Sequence, residues 1–365
     1  MKRHGDLFAQ AFTPSGLLAA YHAAAKSKHG RRACFAFERQ LGTELAALHA
    51  ELHGGTYTPR AYYTFTVHEP KLRTIYAPAF RDCVVQHAIY HVIGPIFDRT
   101  FIEQSFACRV GYGTHRAADY AQAALQQIPR DSYTLKLDIR RFFYRIDRTV
   151  LQRLIERKVK DGRMVALLMT FADHGEPIGV PIGNLLSQLY ALIYLNSLDH
   201  FIKRELKVPR YCRYVDDFIL FGLTRAQALD YRARVIAFLR NTLKLELSKS
   251  TLAPATRGLN FVGYRAWASK RFIRRHSLYN YRRALRRGRV DAATSILGHA
   301  RQTHSLQHLL RFTEERHHAI YRQLPKVYLD RHHPHAAALG GCDDAQSGRD
   351  RTRHARDRRD LRQPA

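Results

Sequence analysis

The sequence predicts an α+β fold, an antiparallel sheet carrying helices on one face. Short aromatic and β-branched runs alternate with helical segments through the middle of the chain. Two such runs fold back on each other about a pair of acids, Asp216 and Asp217. Hydrophobic residues make up 45% of the 365 positions, enough for a substantial core.

Residues 1–60 read as a helical extension. Leu17, Leu18 and Tyr21, then Phe37, Leu41, Leu45, Leu48 and Leu52, recur at three- and four-residue spacing, and Gly54-Gly55 ends the second helix. Tyr62 to Val67 is aromatic and β-branched and predicts a strand. Arg81 to Phe97 predicts a helix stopping near Gly94-Pro95. Next come a strand from Tyr133 to Ile139, one helix from Val150 to Phe171, and a helix from Leu186 to Ile202 with a stripe at Leu186, Tyr190 and Ile193. Tyr211 to Phe221 reads as two short strands folded about Asp216-Asp217. A helix from Ala226 to Leu243 precedes short strands at Leu243 to Leu247 and Asn260 to Trp267. No internal repeat is visible. From Arg271 to residue 330 the chain turns basic and helical. Arg274-Arg275, Arg282-Arg283 and Arg286-Arg287 run along a helix with Leu278, Tyr281 and Leu285 on another face. A solvated face is the bland reading of such a run, but charge of one sign favours contact with phosphates. Residues 331–365, nearly free of large apolar side chains, predict a disordered basic tail.

Sixty Lys and Arg stand against 31 Asp and Glu, a formal net charge of +29. That excess predicts a polyanionic partner, nucleic acid first and an anionic membrane surface second. The start Met1-Lys2-Arg3-His4 lacks a following apolar segment of the signal-peptide kind. The longest apolar stretch, Leu185 to Leu198, is broken by Ser187, Gln188 and Asn196, too short and polar to span a bilayer. A cytoplasmic protein without a membrane partner is expected. Five cysteines include no C-x-x-C pair and read as reduced thiols. His317-His318 and His332-His333-Pro334-His335 lack a second ligand cluster at a useful spacing.

The chemistry is concentrated in Arg210 to Phe221, where two adjacent acids lie between apolar runs. A plain turn would accept Asp, but adjacent carboxylates repel, and holding both ionised asks for a cation. Magnesium, which takes oxygen ligands, suits them. Asp138, at the end of the run Leu135-Lys136-Leu137, supplies a further acid from another strand. Carboxylates on neighbouring strands can hold two magnesium ions about 3.5–4 Å apart, an arrangement suited to phosphoryl transfer.

These residues resemble a bacterial reverse transcriptase, motif by motif and in order. Pro70-Lys71-Leu72-Arg73-Thr74-Ile75 with Arg81-Asp82 and Gln86 resembles the first fingers motif, and Gln104 to Arg109 with Gly111 and Gly113 the second. Asp138 to Phe143 and Tyr214 to Asp217 match the two palm motifs that bear catalytic aspartates. Leu245 to Ser250 resembles the motif with a palm lysine, and Phe261-Val262-Gly263-Tyr264 the primer-grip hairpin. The family carries Gln-Gly-x-x-x-Ser-Pro ahead of the Tyr-x-Asp-Asp box, whereas this chain has Ile182-Gly183-Asn184-Leu185-Leu186-Ser187-Gln188. That departure resembles the enzymes of diversity-generating retroelements. The resemblance implies a right-hand polymerase fold, with fingers and palm in 61–270 and a helical thumb in 271–330. It further implies an error-prone RNA-directed DNA polymerase using two Mg2+ ions. Its partners would be template RNA, primer, RNA–DNA hybrid, dNTPs and a small basic accessory protein that forms a ring. A retron or group II intron-derived enzyme, or a catalytically silent RNA-binding protein, are the alternatives.

Within that resemblance Asp138, Asp216 and Asp217 are the catalytic acids and metal ligands, with the Ile139 carbonyl completing one metal shell. Phe143 contacts the sugar of the incoming nucleotide and excludes a 2′-hydroxyl; a core ring is the alternative. Lys71 and Arg73 share one face of a strand and grip the triphosphate, or form a solvated pair. Lys249 donates a proton to pyrophosphate or is merely structural. Ile182, Gly183 and Gln188 lie by the nascent base pair, Gly183 letting backbone approach the nucleotide. Ile182 offers the pair no hydrogen bond, which lowers fidelity. Tyr214 meets the primer terminus, Gly263 and Tyr264 hold the primer backbone, and Arg282, Arg283 and Arg286 follow the hybrid's groove.

Overall fold

The computed structural model describes residues 2–68 and 72–329. Lys71, Cys342, the His332–His335 cluster and the expected tail at 331–365 lie outside the described residues.

Four helices open the chain: Leu7–Ala11, Pro14–Ala25, Arg32–Glu38 and Leu41–Gly54. Thr13 caps the second by accepting from the Gly16 N–H, and Pro14 fills its first turn. Gly55, at φ 74°, stops the fourth. Leu17, Ala24, Leu48 and Leu52 join the same core as the palm helices.

The next helix, Phe80–Asp98, runs through Gly94-Pro95, so the stop expected there is wrong. Proline forfeits one backbone bond, but Ile93 and Phe97 stay buried on the inner face, and that packing carries the helix on. The single helix expected from Val150 to Phe171 is two, Arg148–Glu156 and Gly162–Ala172. Asp147 and Asp161 each cap one, accepting from Val150 N and Met164 N.

Strands β1 (Tyr63–Val67) and β2 (Arg73–Ala77) form an antiparallel fingers hairpin. The palm sheet comprises β3 (Tyr133–Ile139), β4 (Arg210–Tyr214), β5 (Asp217–Leu223) and β6 (Leu247–Pro254), in the order β4-β5-β3-β6. All its pairings are antiparallel. The strand expected at Leu243 to Leu247 begins where it was expected to end. Lys244 turns left-handed at φ 54° to close helix Arg225–Leu243, and Leu245 is drawn into the core.

Leu135, Leu137, Ile139, Phe218 and Leu220 share one core with helices Leu185–His200 and Arg225–Leu243. The opposite face is not bare, as a sheet with helices on one side only would be. Cys212, Ile219 and Phe221 are covered there by helix Thr114–Gln126 and by β7 (Leu259–Phe261) and β8 (Tyr264–Ala266). β9 (Arg271–Ile273) completes this smaller sheet. Helices Arg275–Arg286, Val290–Ala300 and Ser305–Arg316 follow, packed through Tyr281, Leu285, Leu297 and Leu309. Among the described residues no helix is long and apolar enough to cross a membrane.

Candidate active site

The palm register brings the acids together. Asp138 on β3 stands opposite Asp217 on β5, and opposite Lys249 on β6. Tyr214 pairs with Asp217 across the β4–β5 hairpin. The fold-back therefore lies at Val215-Asp216, and Asp217 is already strand. Val215 sits at φ 56°, a costly conformation for a β-branched residue, of order 1–3 kcal/mol. Such strain persists only where surroundings hold it. Asp216 O accepts from Ile139 N at 3.2 Å, and Val215 O accepts from Arg213 Nη1 at 3.0 Å.

Each acid has its own environment. The Ser248 hydroxyl donates to Asp138 Oδ2 and, at 3.2 Å, to the Asp138 carbonyl. Lys136 Nζ donates to Asp217 Oδ2 and to the Asn260 carbonyl, both at 2.7 Å. The other Asp217 oxygen, Oδ1, is buried with no hydrogen-bond partner. Burial, then the charges of Asp138 and Asp217, push the Asp216 carboxyl up to about 6, against the pull of Arg73. Burial also raises Asp217, and Lys136 opposes it. Crowded acids that resist ionisation, with one buried oxygen lacking a donor, fit a cation site.

An open cleft of about 800 Å³ lies over these acids. Arg73, Phe143, Ile182, Tyr214 and Gly263 line it, as do Ile139 and the three carboxylates. Phe142 is buried in the core, while Phe143 is only partly covered and packs against that same core. Gly263, at φ 91°, follows Val262 at φ 40° in a two-residue hairpin loop.

Other residues singled out from sequence are not brought to the cleft. Lys249 lines an adjoining 470 Å³ cavity that Asp138 and Asp217 border from the other side, with Lys136, Arg257, Arg265 and Arg274. Gly183 is shaped by protein contact: at φ 117°, a Cβ there would lie 2.7 Å from Ile75 Cγ2. Fingers strand β2 thus occupies the side of Gly183 where a side chain would stand, while the residue itself is exposed. Gln188 is exposed on helix Leu185–His200. Tyr264 is 1% exposed, its hydroxyl 2.9 Å from the His299 carbonyl and 3.1 Å from His115 Nδ1. Its side chain belongs to the core of the helices that follow β9, and its backbone is paired with β7 and β9, so Tyr264 offers the cleft no surface. Arg282 and Arg286 are exposed on helix Arg275–Arg286 and Arg283 is partly covered.

Lys136, Ser248 and Arg213 were missed. Lys136 was within reach: it lies two residues before Asp138 on one strand and so shares its face. Ser248 gave no local signal, because it sits at a register shift between β3 and β6. His29, Cys34 and Glu38 bring possible ligand atoms within 4.8 Å of one another. Burial raises the Cys34 thiol, and Glu38 Oε1 already accepts from Tyr21, His29 and Cys34, so the trio reads as a hydrogen-bond hub.

Residues 68–266 match the family described as "Reverse transcriptase (RNA-dependent DNA polymerase)". Protein YkfC of Escherichia coli K12 is 26% identical over 297 residues, covering 68% of this chain and 76% of that protein. The group II intron-encoded protein LtrA of Lactococcus lactis is 25% identical over 293 residues, covering 58% of this chain and 48% of LtrA. The chain thus spans about half of LtrA. A solved telomerase from Candida albicans superposes with a TM-score of 0.45 and 12% identity, over 78% of this chain and 61% of that one. With its family profile covering more than half of the sequence, from just after β1 through the palm to β8, this chain belongs to the reverse transcriptase family.

Proposed function

We propose that the chain copies a template RNA into complementary DNA by nucleotidyl transfer at Asp138, Asp216 and Asp217. The observation that carries this is the meeting of three carboxylates in one cleft, with a buried Asp217 oxygen left without a donor. Asp138, Asp216 and Asp217, with the Ile139 carbonyl, would hold two Mg2+ ions. Bound there, the ions supply a more acidic primer 3′-hydroxyl and charge compensation for the departing pyrophosphate. The protein's own part is placement. Arg73 faces the cleft as a triphosphate contact, Phe143 bars a 2′-hydroxyl, and the Val262-Gly263 loop borders the primer end.

The finer reading is a diversity-generating retroelement enzyme, error-prone and assisted by a small basic ring-forming protein. It rests on Ile182 and Gln188 where the family has Gln and Pro. A second reading, an enzyme derived from group II introns, draws support from LtrA and from nuclear intron maturase 4 of Arabidopsis thaliana, 24% identical over 288 residues. Primer extension on an RNA template with Mg2+ tests the core claim. Extension by the wild type and none by Asp138→Asn supports it. No extension, with or without an accessory protein, leaves the RNA-binding alternative. The error spectrum tests the finer reading: misincorporation concentrated opposite adenine, reduced by Ile182→Gln, is expected. A flat spectrum that the substitution does not alter favours the intron-derived enzyme.

A further inference from the structure

We infer that Arg213, gripped by Asp199, is a positioning residue that fixes the direction of Asp216 in the catalytic turn. The inference rests on the reading of Asp216 as a cation ligand.

Arg213 lies on β4 directly before Tyr214, and Asp199 lies near the end of helix Leu185–His200; their side chains are 1% and 0% exposed. The contact is bidentate, Nε to Oδ1 at 2.7 Å and Nη2 to Oδ2 at 2.5 Å. Tyr211 donates its hydroxyl to Asp199 Oδ1 at 2.7 Å, and Arg213 Nη2 also reaches Ser105 Oγ at 3.0 Å. The carboxylate and serine thus hold one side of the guanidinium. Its remaining nitrogen, Nη1, donates to the Val215 carbonyl at 3.0 Å.

That carbonyl belongs to the peptide entering Asp216, and it follows the residue strained at φ 56°. The peptide leaving Asp216 is held from β3, through Ile139 N. Both peptides flanking the acid are therefore pinned, one of them by this guanidinium. The main chain of Arg213 cannot drift to compensate: its N–H donates to Gln104 O at 2.9 Å, and its carbonyl accepts from Phe106 N at 3.0 Å.

A buried ion pair is a poor way to gain stability, since desolvation offsets the attraction. A guanidinium does what an apolar pair or a lysine cannot. Its planar fork grips a carboxylate and still presents a donor at a fixed angle to a third group. The arrangement suits orientation rather than stability.

The test is equilibrium Mn2+ binding by the full chain, followed by electron paramagnetic resonance without template. Arg213→Lys keeps a charge beside Asp199 and loses the fork. Binding about tenfold weaker is expected, with kcat for primer extension falling by a similar factor while the dNTP KM stays within about twofold. Val215→Gly in the Arg213→Lys background relieves the strained φ and is expected to recover about threefold of the lost affinity. Arg81→Lys, which disturbs the Arg81–Glu51 ion pair at 2.5 Å, serves as a destabilised control expected to keep its Mn2+ affinity. Wild-type affinity in Arg213→Lys, or no recovery on adding Val215→Gly, overturns the inference. If Arg213→Lys does not fold, Ser105→Ala frees one guanidinium hydrogen and spares the ion pair. It is expected to weaken Mn2+ by about threefold, and an unchanged affinity there also overturns the inference. A wild type that binds Mn2+ no better than Asp216→Asn refutes the proposed function instead.

Discussion

Replacing Asp216 with Asn should stabilise the metal-free protein while abolishing catalysis. The Asp216 carboxyl is raised from an ordinary 3.8 to about 6, chiefly by burial and then by the charge of Asp138. A shift of that size corresponds to about 3 kcal/mol of differential cost between charged and neutral forms. The folded protein binds this proton more tightly than the unfolded chain does. The cost is therefore absent below the unfolded value, grows through the window between 3.8 and about 6, and is complete above it. Asn removes the charge at nearly constant shape. In EDTA at pH 7.5 the variant should gain about 3 kcal/mol, or roughly 4 °C in Tm for a chain of this length. At pH 5 about half of the gain should remain, and at pH 4 little of it. Calorimetric melts at the three pH values measure this. Adding Mg2+ should raise the Tm of the wild type and not of the variant, because ligand binding stabilises only a fold that holds the ligand. A variant no more stable than the wild type at pH 7.5, or a gain that persists undiminished to pH 4, would refute the reasoning.

Phe143→Ala should open room beside the incoming sugar and raise ribonucleotide incorporation by roughly tenfold or more; gel analysis with a single rNTP reads this, and unchanged discrimination assigns Phe143 to packing. Lys136→Met removes the cation that opposes the raised Asp217. The acid limb of the primer-extension pH profile should move to higher pH; a stationary limb denies the coupling. Gly183→Ala places a methyl group 2.7 Å from Ile75 Cγ2 at a φ of 117°. It should cost about 2 kcal/mol and raise the dNTP KM, with thermal melts and kinetics as the readouts. Ile75→Ala should recover part of both losses, and no recovery means the clash is not the cause.

The legible part of this protein was local. Tyr133–Ile139 is the strand that its β-branched and apolar run predicts, and the acids at 138, 216 and 217 announce themselves by standing beside apolar runs. What escaped depends on partners distant in sequence. Arg213 and Asp199 look like surface charges until a helix and a strand bury them together. Ser248 reaches Asp138 only because the β3–β6 register shifts there. Pro95 reads as a breaker, yet its helix is held by tertiary packing that local propensity cannot register. Gly183 reads from sequence as a position needing glycine, and the structure adds a reason that no local pattern holds. Ile75 fills the space, and no local pattern reveals which neighbour claims an open Cα.

The contact between Gly183 and Ile75 bears on how Ile182 can influence copying. The Ile182 carbonyl accepts from Tyr76 N at 2.7 Å, and the next residue is pressed against Ile75. Two residues further on, Leu185 N donates to Gln86 Oε1 at 3.1 Å, while the Asn184 side chain caps helix Leu185–His200. The segment is thus anchored through backbone groups and caps, and none of those bonds involves the Ile182 side chain, which lines the cleft. Because the loop's anchors lie in its backbone and caps, the side chain at 182 can change without moving its loop. Substitutions at 182 therefore alter what the cleft offers a base pair while leaving its walls in place. Gly183 is the opposite case, where any side chain displaces the fingers. If fidelity responds to Ile182→Gln while stability does not, the effect originates in the cleft. If both change together, the loop has moved and the substitution says nothing about base selection.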